Sequence, residues 1–205
     1  MIGIIGTKKG MASVYDDGGK RIAVTVIEAG PCAVTQVKTS DTDGYDALQL
    51  GFGDIRNKLV TKPLQGHFKK SSQKLYRHLH EFRNFSEEHN AGDVLTVEMF
   101  KPGDKVDLSG KSKGRGFAGV IKRHGFHTPP KTHGTHEKFR GGGSVGAASY
   151  PAKVWKGHKM PGHMGNQMLT VKNLRVVSVD VENSLLVIKG AVPGVNGSYL
   201  YIKRN

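Results

Sequence analysis

Lys111-Ser112-Lys113-Gly114-Arg115-Gly116-Phe117-Ala118-Gly119-Val120-Ile121-Lys122-Arg123 opens the stretch around which the rest of this sequence is arranged. Between residues 111 and 165 stand 11 Lys or Arg side chains and one acid, Glu137, so 55 of 205 residues hold +10 of the formal +14. The other 150 residues carry 20 basic and 16 acidic groups, an ordinary balance for a globular domain. The charge is local. The same stretch has 12 glycines and no sustained apolar period beyond residues 117–121, so it lacks the pattern from which a helix or a sheet builds a core. Fixing each residue's backbone costs roughly 1–2 kcal/mol. Phe117, Ile121, Phe126, Val154 and Trp155 are too scattered to offset that by burial. Such a segment is expected to be floppy alone and to take shape against a partner that supplies both contacts and negative charge, as a polyphosphate does.

Outside that stretch the chain reads as mainly β. Asp16-Asp17-Gly18-Gly19 separates residues 12–15 from 21–27, where Ile22, Val24 and Val26 alternate with Ala23 and Thr25, and a hairpin is expected. Residues 34–39 resume the extended pattern after Gly30-Pro31, and Asp41-Thr42-Asp43-Gly44 turns the chain towards Leu48, Leu50 and Phe52. Residues 53–72 are polar and basic, with a short helix expected over 64–70. Periodicity leaves 74–83 open between helix and strand. A turn at Asn90-Ala91-Gly92-Asp93 precedes an expected strand over 94–100, and further strands are expected over 169–180, 185–189 and 199–203. Joining these strands in one closed sheet leaves no open edges. The expected domains are therefore 1–110 with 166–205 as a β-barrel carrying a small insertion around 53–90, and 111–165 as an extended, RNA-penetrating loop. Two doubled-back arms of about 27 residues reach up to roughly 90 Å at ~3.3 Å per residue.

One cysteine, Cys32, excludes an internal disulfide framework and a cysteine-based zinc site, which fits a reducing compartment. No apolar run approaches the ~18–20 residues of a membrane span, the N-terminus lacks the pattern of a secretory signal, and a cytoplasmic location is expected.

Three enzyme-like patterns fail on context. Gly114-Arg115-Gly116-Phe117-Ala118-Gly119 has dinucleotide-binding spacing, but Lys111-Ser112-Lys113 stands where a buried strand should end. The favoured reading is a glycine-rich lead into a short helix, 117–123. Gly110-Lys111-Ser112 resembles the end of a P-loop, but Lys105 occupies the position of its first glycine. Gly142-Gly143-Ser144-Val145-Gly146 has the spacing of a nucleophile elbow without its flanking strand and helix. A serine hydrolase using Ser144 with His133 or His158 is the alternative from the enzyme class, and a sequence-specific DNA binder is a third reading, though no recognition helix is evident. Six histidines lie in the stretch (His124, His127, His133, His136, His158 and His163), and without cysteine they suit phosphate or base contacts better than zinc. Trp155 reads as a stacking side chain. The residues expected to bind RNA are Lys111, Lys113, Arg115, Lys122, Arg123, His124, Lys131, His133, Lys138, Arg140, Lys153, Trp155, Lys156, His158 and Lys159.

Phe100, Asp107, Gly110, Ser112, Gly114-Arg115-Gly116, Gly119 and Arg123 keep the spacing characteristic of the universal third protein of the large ribosomal subunit. The chain resembles the bacterial form of that family throughout, including Gly3-Ile4-Ile5-Gly6, Ala29-Gly30-Pro31, Lys156-Gly157-His158-Lys159-Met160 and Lys189-Gly190-Ala191-Val192-Pro193-Gly194. The resemblance implies a translation-factor-like barrel bound to the 3′ part of the large-subunit rRNA, with a loop directed towards the peptidyl transferase centre, its tip at 144–155. It also implies an early role in subunit assembly, no catalysis, no cofactor beyond Mg²⁺ carried by the rRNA, and neighbours among the large-subunit proteins numbered fourteen and nineteen. Where many bacterial members carry a side-chain-methylated glutamine two residues before a proline, this chain has Ser149 before Pro151, so no such modification is expected there.

Overall fold

The computed structural model describes residues 2–16, 18–70, 74–83, 85 and 89–204. The chain forms two compact units, 1–112 with 168–205, and 113–167. β1 (Ile2–Tyr15) and β2 (Arg21–Ala29) make the expected hairpin; of its turn, Asp17 lies outside the described residues. β3 (Cys32–Lys38), the single turn α1 (Ser40–Asp43) and β4 (Ala47–Asp54) follow, with Gly44 closing α1 at φ 80°. After a 3-10 turn at Asn57–Leu59 come α2 (Lys62–Lys69), β5 (Tyr76–Arg83) and β6 (Val94–Leu95). β7 (Lys105–Lys111) leads to β8 (Phe117–Ala118), α3 (Val120–His124) and β9 (Gly162–His163) of the second unit, and β10 (Met168–Asp180), β11 (Leu185–Lys189) and β12 (Tyr199–Arg204) complete the first.

The closed barrel has the order β1-β12-β7-β10-β11-β2. Register shows how it fills. Ile4 lies opposite Ile202, which lies opposite Leu108, and all three are fully buried. One step along the same face, Leu200 is flanked by Gly6 and Gly110. A Cβ on Gly110 would stand 2.6 Å from Leu200 Cδ2, so the large leucine fits because Gly110 has no side chain; one on Gly6 would stand 2.8 Å from Glu28 O and 2.9 Å from Ile27 Cγ2, so Gly6 makes room for β2 instead. Lys8 is buried with its Nζ donating to the carbonyls of Val192 and Gly194, 3.1 Å each.

Two expectations are corrected here. The strands do not share one sheet: β3 and β4 join β5 and β6 in a separate four-stranded sheet, order β5-β4-β3-β6. The second sheet meets the outer face of β12 through alternate side chains of β5. The rings of His78 and Tyr199 lie 3.5 Å apart, His80 stacks on Tyr201 at 3.7 Å, and Phe82 occupies the space left by Gly3. That row, with His78 and His80 half-buried and Phe82 buried, explains why strand wins within 74–83. Residues 94–100 are a two-residue strand followed by a 3-10 turn, Val97–Met99, since the turn lets Val97 and Phe100 both bury where a straight strand would point them to opposite faces.

Candidate nucleic-acid interface

The second unit, 113–167, is held together by backbone pairing at its base. Arg115 N donates to Met164 O and Met164 N to Gly116 O, 2.9 Å each, and β8 pairs with β9 in the register Phe117↔His163, Ala118↔Gly162. Gly165 sits at φ 73°, and a Cβ there would collide with Lys113 O, so this crossing of two backbones requires glycine. The helix expected at 117–123 is shifted. Phe117 and Ala118 are taken by the β8–β9 ladder, and α3 begins only after Gly119, ending at Gly125 with φ 70°.

A cation tie crosses the unit. Arg123 Nη1 donates to Met160 O at 2.7 Å, and His124 Nε2 lies 3.0 Å from the same oxygen. Both side chains are half-buried, so they position the two strands of the unit besides offering their remaining donors outward. Sequence reading missed this bracing role. Its one trace was Gly162, where a Cβ would stand 2.8 Å from Arg123 Nη1.

Of the fifteen side chains expected to bind RNA, the other thirteen are all exposed. Lys111 is the last residue of β7 and belongs to the first unit. Lys113, Arg115, Lys122, Lys131, His133, Lys138, Arg140, Lys153, Trp155, Lys156, His158 and Lys159 belong to the second. Trp155 is 64% exposed with Lys153 Nζ 4.7 Å from its ring centre, which leaves a ring face for stacking. Within the unit only Ala118 and Val120 are buried, and among the described residues none of its ten cations is in an ion pair. Coulomb repulsion between such groups goes unrelieved by the chain itself.

The enzyme-like patterns acquire no machinery. Ser144 Oγ donates to Gly146 O at 2.9 Å and accepts from Gly146 N at 3.4 Å, a local turn with no histidine in it. Ser149 is exposed. Among the described residues no three His, Cys, Asp or Glu side chains gather as a metal-ligand set, and no helix is long and apolar enough to cross a membrane.

The family model for ribosomal protein L3 matches residues 76–185, more than half of the chain. The chain belongs to the ribosomal protein L3 family. It is 49% identical over 203 residues to the large ribosomal subunit protein uL3 of Herpetosiphon aurantiacus, covering 98% of this chain and 95% of that one. To the large ribosomal subunit protein uL3 of Brachyspira pilosicoli it is 50% identical over 199 residues, 96% and 91% of the two chains. L3 proteins are structural ribosomal proteins and not enzymes, so the Ser144 hydrolase reading is dropped.

Proposed function

We propose that this chain is a structural constituent of the large ribosomal subunit in the cytoplasm, binding the 3′ region of the large-subunit rRNA. Residues 113–167, with Lys111, make the contact; the segment runs towards the peptidyl transferase centre and is ordered by the RNA around it during early assembly. Neighbouring large-subunit proteins, those numbered fourteen and nineteen, complete its surroundings, and any Mg²⁺ comes with the RNA.

The observation that carries this reading is the charge of the second unit: ten cations against Glu137, unpaired among the described residues, on a frame with two buried side chains. Phosphates supply the missing counter-charge, and counterion release makes the affinity steeply salt-dependent. If 6–10 phosphates are neutralised, affinity for a 3′-domain rRNA fragment should fall about 10³–10⁵-fold between 50 and 200 mM salt. Replacing the unit's lysines and arginines by glutamine should flatten that dependence. An affinity indifferent to salt would sink the proposal, and duplex DNA competing as well as the rRNA fragment would favour a DNA-binding role.

A further inference from the structure

The first unit is not evenly charged. Residues 54–77 contain seven cations and one acid, Asp54, whereas the other residues of the unit carry 14 basic and 15 acidic side chains. Arg56, Lys58, Lys62, Lys69, Lys70 and Arg77 are all exposed, and none of them is in an ion pair among the described residues.

These six ride on a braced frame. Phe68 is buried against the ring of Tyr76, centres 6.1 Å apart. Gln65 Nε2 donates to Val60 O at 2.9 Å, which ties α2 to the 3-10 turn before it. His67 Nε2 lies 2.6 Å from Gln49 Oε1, which also accepts from Thr35 Oγ1 at 2.8 Å, and Ile55 N donates to Leu75 O at 3.1 Å. The backbone carrying the charges is thus fixed to β3, β4 and β5.

A second, independent feature points outward. On α2, Lys62, Gly66 and Lys69 fall on one face, since seven residues at 3.6 per turn return to nearly the same direction, about 10 Å further along. Gly66 is in the helix interior, where alanine is more favourable. Its φ is not positive, and a Cβ there would meet nothing within 4 Å. Among the described residues nothing requires glycine at this place, and its absent side chain leaves room for a partner's backbone to come close to the helix.

We propose that the exposed face of residues 56–70 together with Arg77, centred on Gly66, is a second, preorganised seat for the phosphate backbone of duplex RNA, distinct from the cations of the second unit. It extends the rRNA-binding reading above and rests on it only for the class of partner. Lysines act here as point charges on phosphates and carry no base selectivity. The exposed Leu59 and Leu64 lie where sugar faces can cover them.

The test uses the full chain and a large-subunit rRNA fragment rich in duplex. Changing Arg56, Lys58, Lys62, Lys69, Lys70 and Arg77 to glutamine should lower the slope of log affinity against log salt by about three to five. Neutralising Lys20, Lys101 and Lys189 on the same unit should leave it near the parent value. Gly66→Gln, which alters no charge, should weaken binding about tenfold while the melting temperature does not fall. Amine labelling read by mass spectrometry should show Lys58, Lys62, Lys69 and Lys70 protected by the RNA. A parent-like slope in the sixfold variant overturns the proposal, as does an equal fall per residue in the Lys20, Lys101, Lys189 variant. So does protection of those lysines by polyglutamate but not by RNA, which would assign the face to an acidic protein. A glutamine variant of Lys113, Arg115, Lys122, Lys131, Lys138 and Lys153 separates the two readings. If only that variant loses slope, this seat is refuted and the loop reading stands; if only the sixfold variant does, the reverse holds.

Discussion

The two units spend their residues on opposite problems. In 1–112 with 168–205, rows such as Ile4, Ile202 and Leu108 remove apolar surface from water across three paired strands, and charge is nearly balanced away from residues 54–77. In 113–167 two side chains are buried, and nine exposed cations and the half-buried Arg123 have no ion-paired carboxylate among the described residues. Burial gives roughly 25 cal/mol per Å² of apolar surface, so stability belongs to the first unit. Affinity for an anion belongs to exposed cations. Substitutions should therefore separate cleanly: those in the first unit's core should move the unfolding transition, and those in the second should move binding.

The sharpest way to break that contrast is in the barrel core. Leu108→Ala or Ile202→Ala should cost about 2–5 kcal/mol, because each leaves a cavity between strands that are locked by hydrogen bonds on both sides. Urea unfolding measures it; a loss under about 1 kcal/mol would mean that the row Ile4, Ile202, Leu108 is not one continuous core.

Adding a methyl group should be nearly as informative. Gly110→Ala drives a Cβ to 2.6 Å from Leu200 Cδ2 and 3.2 Å from Pro193 Cγ, and should cost about 1–3 kcal/mol through displaced packing. Gly142→Ala in the second unit meets its nearest atom, Val120 Cγ1, at an ordinary 3.7 Å. It should change stability by no more than about 0.5 kcal/mol. Equal effects at the two glycines would erase the distinction between the units.

A smaller effect is expected from pH. Burial, and then the Arg77 charge, lowers the pKa of His78; burial, and then the Lys203 charge, lowers that of His80, against an opposing pull from Glu81. Their partners across the sheet contact are the Tyr199 and Tyr201 rings. The unfolded chain takes up these protons at higher pH than the folded one, so the contribution is whole above the ordinary histidine value near 6.5 and is lost as pH falls below it. Glu81, held low first by its hydrogen bond with Lys38, adds a loss at still lower pH. Replacing both histidines by phenylalanine should flatten the melting temperature between pH 7 and 5; an unchanged pH profile would show that the β5 contact with β12 does not exclude protons.

Much of this contrast was legible in the sequence, for a local reason. Charge and glycine content are properties of a segment, so the composition of 111–165 marks it without any knowledge of its neighbours. Strands β10, β11 and β12 were readable from period-2 apolar runs bounded by turns. Sheet membership was not. β3 and β4 alternate as the barrel strands do, and only the pairing of β4 with β5 and of β3 with β6 sends them into a second sheet, a choice made by residues far apart in the chain. The strand expected over 94–100 failed because Val97 and Phe100, three apart, bury together only in a 3-10 turn and not in a straight strand. The stretch 53–72 was visible as basic, but the common face of Lys62, Gly66 and Lys69 depends on the helix α2 that Phe68, Gln65 and His67 fix in place. The bracing by Arg123 and His124 was hidden for the same reason, since nothing in the sequence pairs them with Met160.

The smallest expected change in stability is at Trp155. An exposed tryptophan among cations is odd in a folded protein left to itself, because a large apolar ring in water contributes nothing to the fold and its natural place is an interface. Here the ring is 64% exposed, with the Lys153 ammonium 4.7 Å from its centre. A cation over an exposed ring contributes about 0.5–1 kcal/mol at most, and the unit that carries it has no core to disturb. Trp155→Ala should therefore leave the urea midpoint where it is, within about 0.5 kcal/mol. The same substitution should weaken rRNA binding by about 1–3 kcal/mol if a base stacks on the ring, and that loss should survive at high salt, because stacking, unlike phosphate pairing, releases no counterions. A Trp155→Ala chain that unfolds early but binds RNA as before would place this residue in a core, and would contradict the division of labour between the two units at its most exposed point.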